Sequence, residues 1–240
     1  MEQKVLRAVM VCLLLMSMAI LGRETAAYVE TVNAVNALQG NNADTDGIPT
    51  VVIDAGHGGD DPGKIGINGA PEKDINLRIT EKLRQYLEAD GIRVVLTRET
   101  EDGLYDASAP NKKVQDMKRR IEKIEQTDPV LTVSIHQNSY HEEAIRGGQV
   151  FYYRDSSKGK ALAEILQDRF DYVLGEQNRR LPKANANYYL LLHVKCPIVI
   201  VECGFLSNRK EAALLNSGEY QDKLAYTIHM GIMEYLNKKQ

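Results

Sequence analysis

The sequence has no surplus of positive charge. Its 240 residues carry 30 lysines and arginines against 33 acidic residues, a formal net charge of −3. Without a basic patch or stripe the chain offers nucleic acid no electrostatic footprint, so no nucleic-acid partner is expected. An anionic polymer held through bulk charge attraction gains no support either, and specificity must come from a local site. Cysteine is scarce, with three residues. Cys196 and Cys203 bracket an apolar stretch that reads as a strand. At about 3.3 Å per residue their Cα atoms stand roughly 20 Å apart, beyond the ~7 Å that a disulfide spans. Cys12 has no convincing lipoprotein cleavage motif around it. There is no internal repeat and no appended module. The phosphate-loop Lys-Ser/Thr ending, the GxGxxG spacing and the HExxH helix motif are all missing. What is present is a globular composition, 43% apolar and 26% charged, long enough for one domain with a substantial core.

The N-terminus has a separate pattern. Lys4 and Arg7 precede an unbroken apolar run from Ala8 to Leu21, followed by the small residues Thr25, Ala26 and Ala27. Positive flank, short apolar run and small-residue exit read as a secretory signal, and the run is shorter than the ~20 residues of a comfortable bilayer span. Residues 1–27 are therefore expected to be a signal peptide or membrane anchor, and the protein to be exported. Any membrane contact would come through this segment, if uncleaved. Residues 28–47, rich in Asn, Thr, Ala and Asp, read as a linker, leaving 48–240 as the folded domain.

From Ile48 onward, apolar runs alternate with amphipathic stretches. Thr50 to Asp54, Ile92 to Thr97, Val130 to Ile135 and Ile198 to Val201 read as buried strands, and Gln149 to Tyr153 as an edge strand. Asp74 to Ala89 repeats apolar residues every four positions and stops at Gly91. Lys112 to Gln126, dense in alternating charge, reads as an exposed helix. Lys158 to Leu174 and Tyr220 to Leu236 are the remaining helices. This order predicts a single-domain α/β fold, a twisted, mostly parallel sheet with helices on both faces. Ligand sites in such sheets form beyond the carboxyl ends of the strands.

At those ends stand the residues with chemistry. His57 follows the first strand, His136 the third, and Glu202 ends Ile198 to Val201; Glu72 lies just before the first long helix. Two imidazoles, a carboxylate and a spare carboxylate match a catalytic zinc site, which uses three protein ligands and keeps one position open. Each residue alone has a plainer reading. A histidine at a strand end is usually a satisfied polar residue, and a glutamate before a helix a routine N-terminal charge. His57 improves on that baseline because the glycines of Asp54-Ala55-Gly56-His57-Gly58-Gly59 let the chain wrap closely. Asp54 is positioned to accept a hydrogen bond from the free ring nitrogen, as carboxylates behind metal ligands do. A carboxylate at the end of an apolar strand, as at Glu202, is costly unless paired, ligated or functional. His141, His193 and His229 read as surface or packing residues.

Five blocks occur in order with familiar spacing: Asp54 to Gly59, Glu72 to Leu77, Leu96 to Arg98, Ser134 to Asn138 and Val201 to Asn208. Together they resemble the zinc-dependent N-acetylmuramoyl-L-alanine amidases of the amidase 3 family over Ile48 to Leu236. The resemblance implies that His57, Glu72 and His136 bind Zn2+ and that Glu202 is the catalytic carboxylate. It implies hydrolysis of the amide between muramic acid and L-alanine in peptidoglycan. Ala55 departs from the proline many members have there, and Cys203 from a small residue; neither change removes a ligand. Ser-Ile-His-Gln-Asn-Ser, Gly148 to Tyr153 and Glu202 to Phe205 are most similar to the spore-cortex, germination-specific branch. Its members act in muramic-δ-lactam formation, in some clostridia with a lipoprotein partner.

For substrate contacts, Arg98 could meet a stem-peptide carboxylate or form a structural salt bridge. Asn138 could orient substrate or cap its loop, and the basic run Arg179 to Lys183 could line a groove or simply be solvated. The rival functions are a vegetative autolysin of the same family, another zinc peptidase or deacetylase, and a non-catalytic peptidoglycan-binding module. The presence of Glu202 weighs against the last.

Overall fold

Continuous apolar runs form strands that are buried on both faces, and here they form the middle of one sheet. The computed structural model describes residues 47–175, 178 and 180–238. The expected signal segment, nearly all of the linker and Cys12 lie outside them. Among the described residues no helix is long and apolar enough to cross a membrane.

The strands are β1 (Thr50–Ala55), β2 (Arg93–Leu96), β3 (Leu131–Asn138), β4 (Gln149–Tyr153), β5 (Lys183–Asn185) and β6 (Ile198–Phe205). The helices are α1 (Glu72–Ala89), α2 (Lys112–Thr127), α3 (Ser157–Leu174), α4 (Tyr189–His193), α5 (Arg209–Leu215) and α6 (Gly218–Lys238). The six-stranded sheet runs β2-β1-β3-β6-β4-β5. Its first four strands are parallel, while β4 lies antiparallel to β6 with β5 parallel to β4. The expected edge strand is therefore one position in from the edge. β5 caps it, a three-residue strand next to Pro182 that is too short to leave a hydrophobic pattern.

Successive strand residues point to opposite faces. Val52, Phe151, Ile198 and Ile200 pack on one face with Ile124 of α2 and Leu190 and Leu191 of α4. Val51, Ile53, Val199 and Val201 alternate with them and are also fully buried, so the other face is covered as well. Cys196 and Cys203 are free thiols. One helix departs from its sequence reading. α2 looks exposed by charge density, yet it buries Arg120 and Asp116 along with Ile124.

Candidate active site

Three adjacent parallel strands bring the polar residues together. His136 of β3 stands opposite Glu202 of β6, and Asp54 of β1 opposite Ser134 of β3. Stepping by twos along the strands places Asp54, Ser134, His136 and Glu202 on one face, the face covered by α2. β3 and β6 run on beyond their apolar stretches, so His136 and Glu202 sit inside the ladder rather than after it.

His57 lies on the loop leaving β1 with φ 63°, a left-handed conformation that a non-glycine residue adopts at a cost. Two buried arginines hold that loop. Arg120 donates to the carbonyls of Ala55 and His57, and Arg98 to those of Ala55, Gly56, Lys73 and Thr100. Arg98 is only 3% exposed. Its guanidinium is taken up by backbone, not by an acid, so it positions the loop instead of meeting a substrate carboxylate. Close approach accounts for two glycines. A Cβ at Gly56 would lie 2.3 Å from the His136 ring, and one at Gly63 (φ +67°) would lie 2.6 Å from Glu72 Oε2.

Glu72, the first residue of α1, is 2% exposed. Its Oε1 is 3.0 Å from His136 Nδ1 and 3.3 Å from His57 Nε2, and accepts from the Gln137 amide at 3.0 Å. Its Oε2 accepts from the Lys64 amide at 2.9 Å. Burial works against the charge, yet the two imidazoles hold the carboxyl well below the usual range. Burial likewise pushes His57 down, but the Glu72 and Asp61 carboxylates carry it up to about 9. The ionised Glu72 thus calls for a positive partner between the rings, a proton or a cation. The ligand atoms of His57, Glu72 and His136 all lie within 4.8 Å of one another. This donor set fits a divalent metal bound by two nitrogens and one oxygen.

The carboxylate behind His57 is not Asp54. Asp61 Oδ2 is 2.9 Å from His57 Nδ1, a pairing set by the fold of an irregular loop that residue spacing does not reveal. Asp54 instead accepts from Thr97, Ser134 and Arg120 beneath the site. Glu202 is 8% exposed, and its Oε2 has no hydrogen-bond partner among the described residues. Burial pushes its carboxyl up to about 7, with His136 drawing it down and Glu72 adding to the rise. A carboxyl poised near neutrality suits proton transfer.

Two cavities open around this centre. One of about 530 Å³ is walled by Tyr105, Met117, Tyr188, Tyr189 and Leu190; one of about 340 Å³ is walled by Lys64, Gln137, Asn138 and Ser139. His57, Asp61, Lys113, His136, Tyr188 and Glu202 border both. Asn138 therefore faces a cavity while its Oδ1 also accepts from the Ser139 amide at 2.8 Å. Sequence reading missed Tyr188, which stands on the turn before α4 and carries no pattern of its own. Of the basic run, Arg180 donates to the Arg146 carbonyl and lies over the Phe205 ring, while Arg179 lies outside the described residues. His141 and His193 are exposed, and His229 packs at the back, 2.7 Å from Asp90.

The N-acetylmuramoyl-L-alanine amidase family profile matches residues 51–234. The germination-specific N-acetylmuramoyl-L-alanine amidase of Bacillus subtilis is 34% identical over 192 residues, 79% of this chain and 80% of that protein. The CwlD amidase of Clostridioides difficile, solved in complex with the GerS lipoprotein, superposes with a TM-score of 0.76 at 40% identity, covering 78% of this chain and 98% of that one. The catalytic domain of CwlV from Bacillus (Paenibacillus) polymyxa gives a TM-score of 0.69 at 33% identity, over 79% of this chain and 98% of that one. With the family matched from β1 into α6, around a His–Glu–His cluster at the strand ends, the chain belongs to the N-acetylmuramoyl-L-alanine amidases, enzymes that act on peptidoglycan.

Proposed function

We propose that the chain is a zinc-dependent amidase, exported and acting on spore-cortex peptidoglycan, with His57, Glu72 and His136 as metal ligands and Glu202 as proton carrier. The observation that carries this reading is the pairing of a three-ligand cluster with a buried carboxylate on the adjacent strand whose Oε2 has no hydrogen-bond partner among the described residues. When bound, the ion supplies Lewis-acid polarisation of the scissile carbonyl and lowers the pKa of an attacking water. Glu202 takes that water's proton and returns it to the departing L-alanine amine. Glu72 is fixed by two backbone amides, so it holds its place without drawing on substrate.

The cortex role is supported by likeness to the germination-specific relative. A lipoprotein partner is supported by the complex in which the CwlD relative was solved. Export is supported by the Lys4 to Ala27 pattern and would place the enzyme in the cell wall or the space between forespore and mother-cell membranes. Digestion of purified cortex peptidoglycan with the zinc-loaded protein is expected to release stem peptides beginning with L-alanine, read by mass spectrometry. Release from vegetative wall but not from cortex would replace the cortex role with an autolytic one. Zinc retained without release, even with a lipoprotein partner added, would favour the binding module.

Asp61 orients the His57 ring, so Asp61→Ala is expected to weaken zinc affinity about 10–100-fold. Competition against a chelating indicator measures this, and unchanged affinity would remove Asp61 from the site.

A further inference from the structure

The scissile amide has a sugar on one side and a peptide on the other, and the two cavities meet at His57, His136 and Glu202. Their walls differ in chemistry. The larger cavity is faced by tyrosines, methionine and leucine, and its cations other than Lys113, Lys112 and Arg120, are each paired with aspartates. The smaller is faced by Gln137, Asn138 and Ser139 and by two lysines. Four lysines surround the centre. Lys112 is paired with Asp60 at 2.6 Å, and Lys73 donates to the Gly59 carbonyl at 2.8 Å. No ion pair or hydrogen bond fixes the ammonium of Lys64 or Lys113 among the described residues. Both are exposed, both border the smaller cavity, and Lys113 also stands at the junction. Asp61 feels the charge of Lys113, but neither lysine is hydrogen-bonded to a carboxylate among the described residues. Asp61 is engaged by the His57 ring and the Gly63 amide, and Glu72 by both imidazoles.

We propose that the smaller cavity is the stem-peptide subsite and that Lys64 and Lys113 bind a carboxylate of the peptide there. Stem peptides carry free carboxylates a short way beyond the L-alanine, whereas the sugar side of the bond is uncharged and polyhydroxylated. Two ammonium groups without a hydrogen bond among the described residues recognise an anion, and an aromatic wall suits the faces of sugar rings. The larger cavity is thereby left to the glycan strand, which fixes the direction in which substrate lies across the metal. Net charge need not favour an anionic polymer for this to work, because the cationic pair is local.

This assignment rests on the amidase reading, and the test separates the two. A muramoyl-peptide fragment with free carboxylates is compared with the same fragment carrying amidated carboxylates, using the zinc-loaded protein and its Lys64→Met/Lys113→Met variant. Methionine keeps most of each stem's apolar length while removing the charge. On the acidic fragment the variant is expected to raise KM about tenfold with kcat nearly unchanged, the mark of lost uniform binding. On the amidated fragment the two proteins should behave alike. An equal rise on both fragments, or none on either, overturns the subsite. Should the native protein cleave neither fragment, the amidase reading fails separately. Calorimetric titration of the acidic fragment then decides the subsite, with the same loss in the variant expected and equal affinity refuting it.

Discussion

Glu202→Gln is expected to lose about 10²–10⁴-fold in kcat while keeping its metal and its fold, the range spanned by a positioned general acid–base group. Glutamine has nearly the same shape and can still fill the end of β6, but it cannot take a proton from water. Two further readouts distinguish this from general damage. Zinc content should stay at the native level, because the carboxylate is outside the three-ligand cluster. Thermal stability should hold or rise, because Glu202 Oε2 is buried without a hydrogen-bond partner among the described residues, and such a carboxylate is costly to bury. Functional sites commonly hold such a cost, and its relief accompanies lost activity. Turnover within tenfold of the native enzyme would remove Glu202 as proton carrier. Loss of zinc along with turnover would make it a ligand instead.

The parts of this site visible in the sequence are those that strand physics exposes. β1, β3 and β6 are buried on both faces, so their runs are mostly apolar, and a large polar residue closing such a run stands out at His136 and Glu202. The ends of those strands were less legible. β3 and β6 continue to Asn138 and Phe205 because backbone hydrogen bonding does not depend on side-chain polarity, whereas the apolar pattern stops earlier. β5 and α4 were invisible for want of length, with three and five residues, and Tyr188 with them. Asp54 was expected behind His57 because the two are close in the chain, but its carboxylate is taken up by Thr97, Arg120 and Ser134, partners on other elements that chain proximity does not reveal. Arg98 was read as a substrate contact or half of a salt bridge. Neither reading anticipates a guanidinium spent on four backbone carbonyls, since carbonyl partners leave no trace in residue type.

Arg120→Met is expected to destabilise the protein by about 3–5 kcal/mol, the usual result of stripping one partner from a buried charge network. The charged face of α2 hid the most consequential structural residue in the chain. Arg120 is 1% exposed and pairs with Asp54 at 2.6 Å and with Asp116 at 2.5 Å. It also holds the carbonyls of Ala55 and His57, tying helix, strand and the left-handed His57 together. Methionine fills part of the volume but leaves Asp54 fully buried without its cation. The effect has a signature in pH. Burial alone would raise the Asp54 carboxyl, but Arg120, helped by Ser134 and Thr97, brings it down to about 2. A carboxyl depressed on folding contributes stability above its unfolded value of about 3.9. That contribution is lost as pH falls through about 2. Removing Arg120 moves the folded value upward, so the variant gains least from ionised Asp54 at neutral pH. Urea melts of both proteins should therefore show the widest stability gap above about pH 4, narrowing toward pH 2 as Asp54 takes up its proton. A gap independent of pH would mean that Arg120 stabilises through its carbonyl contacts alone. Because the same guanidinium holds the His57 carbonyl, the folded variant should also bind zinc more weakly, which ties the packing of α2 on the sheet to the chemistry at the strand ends.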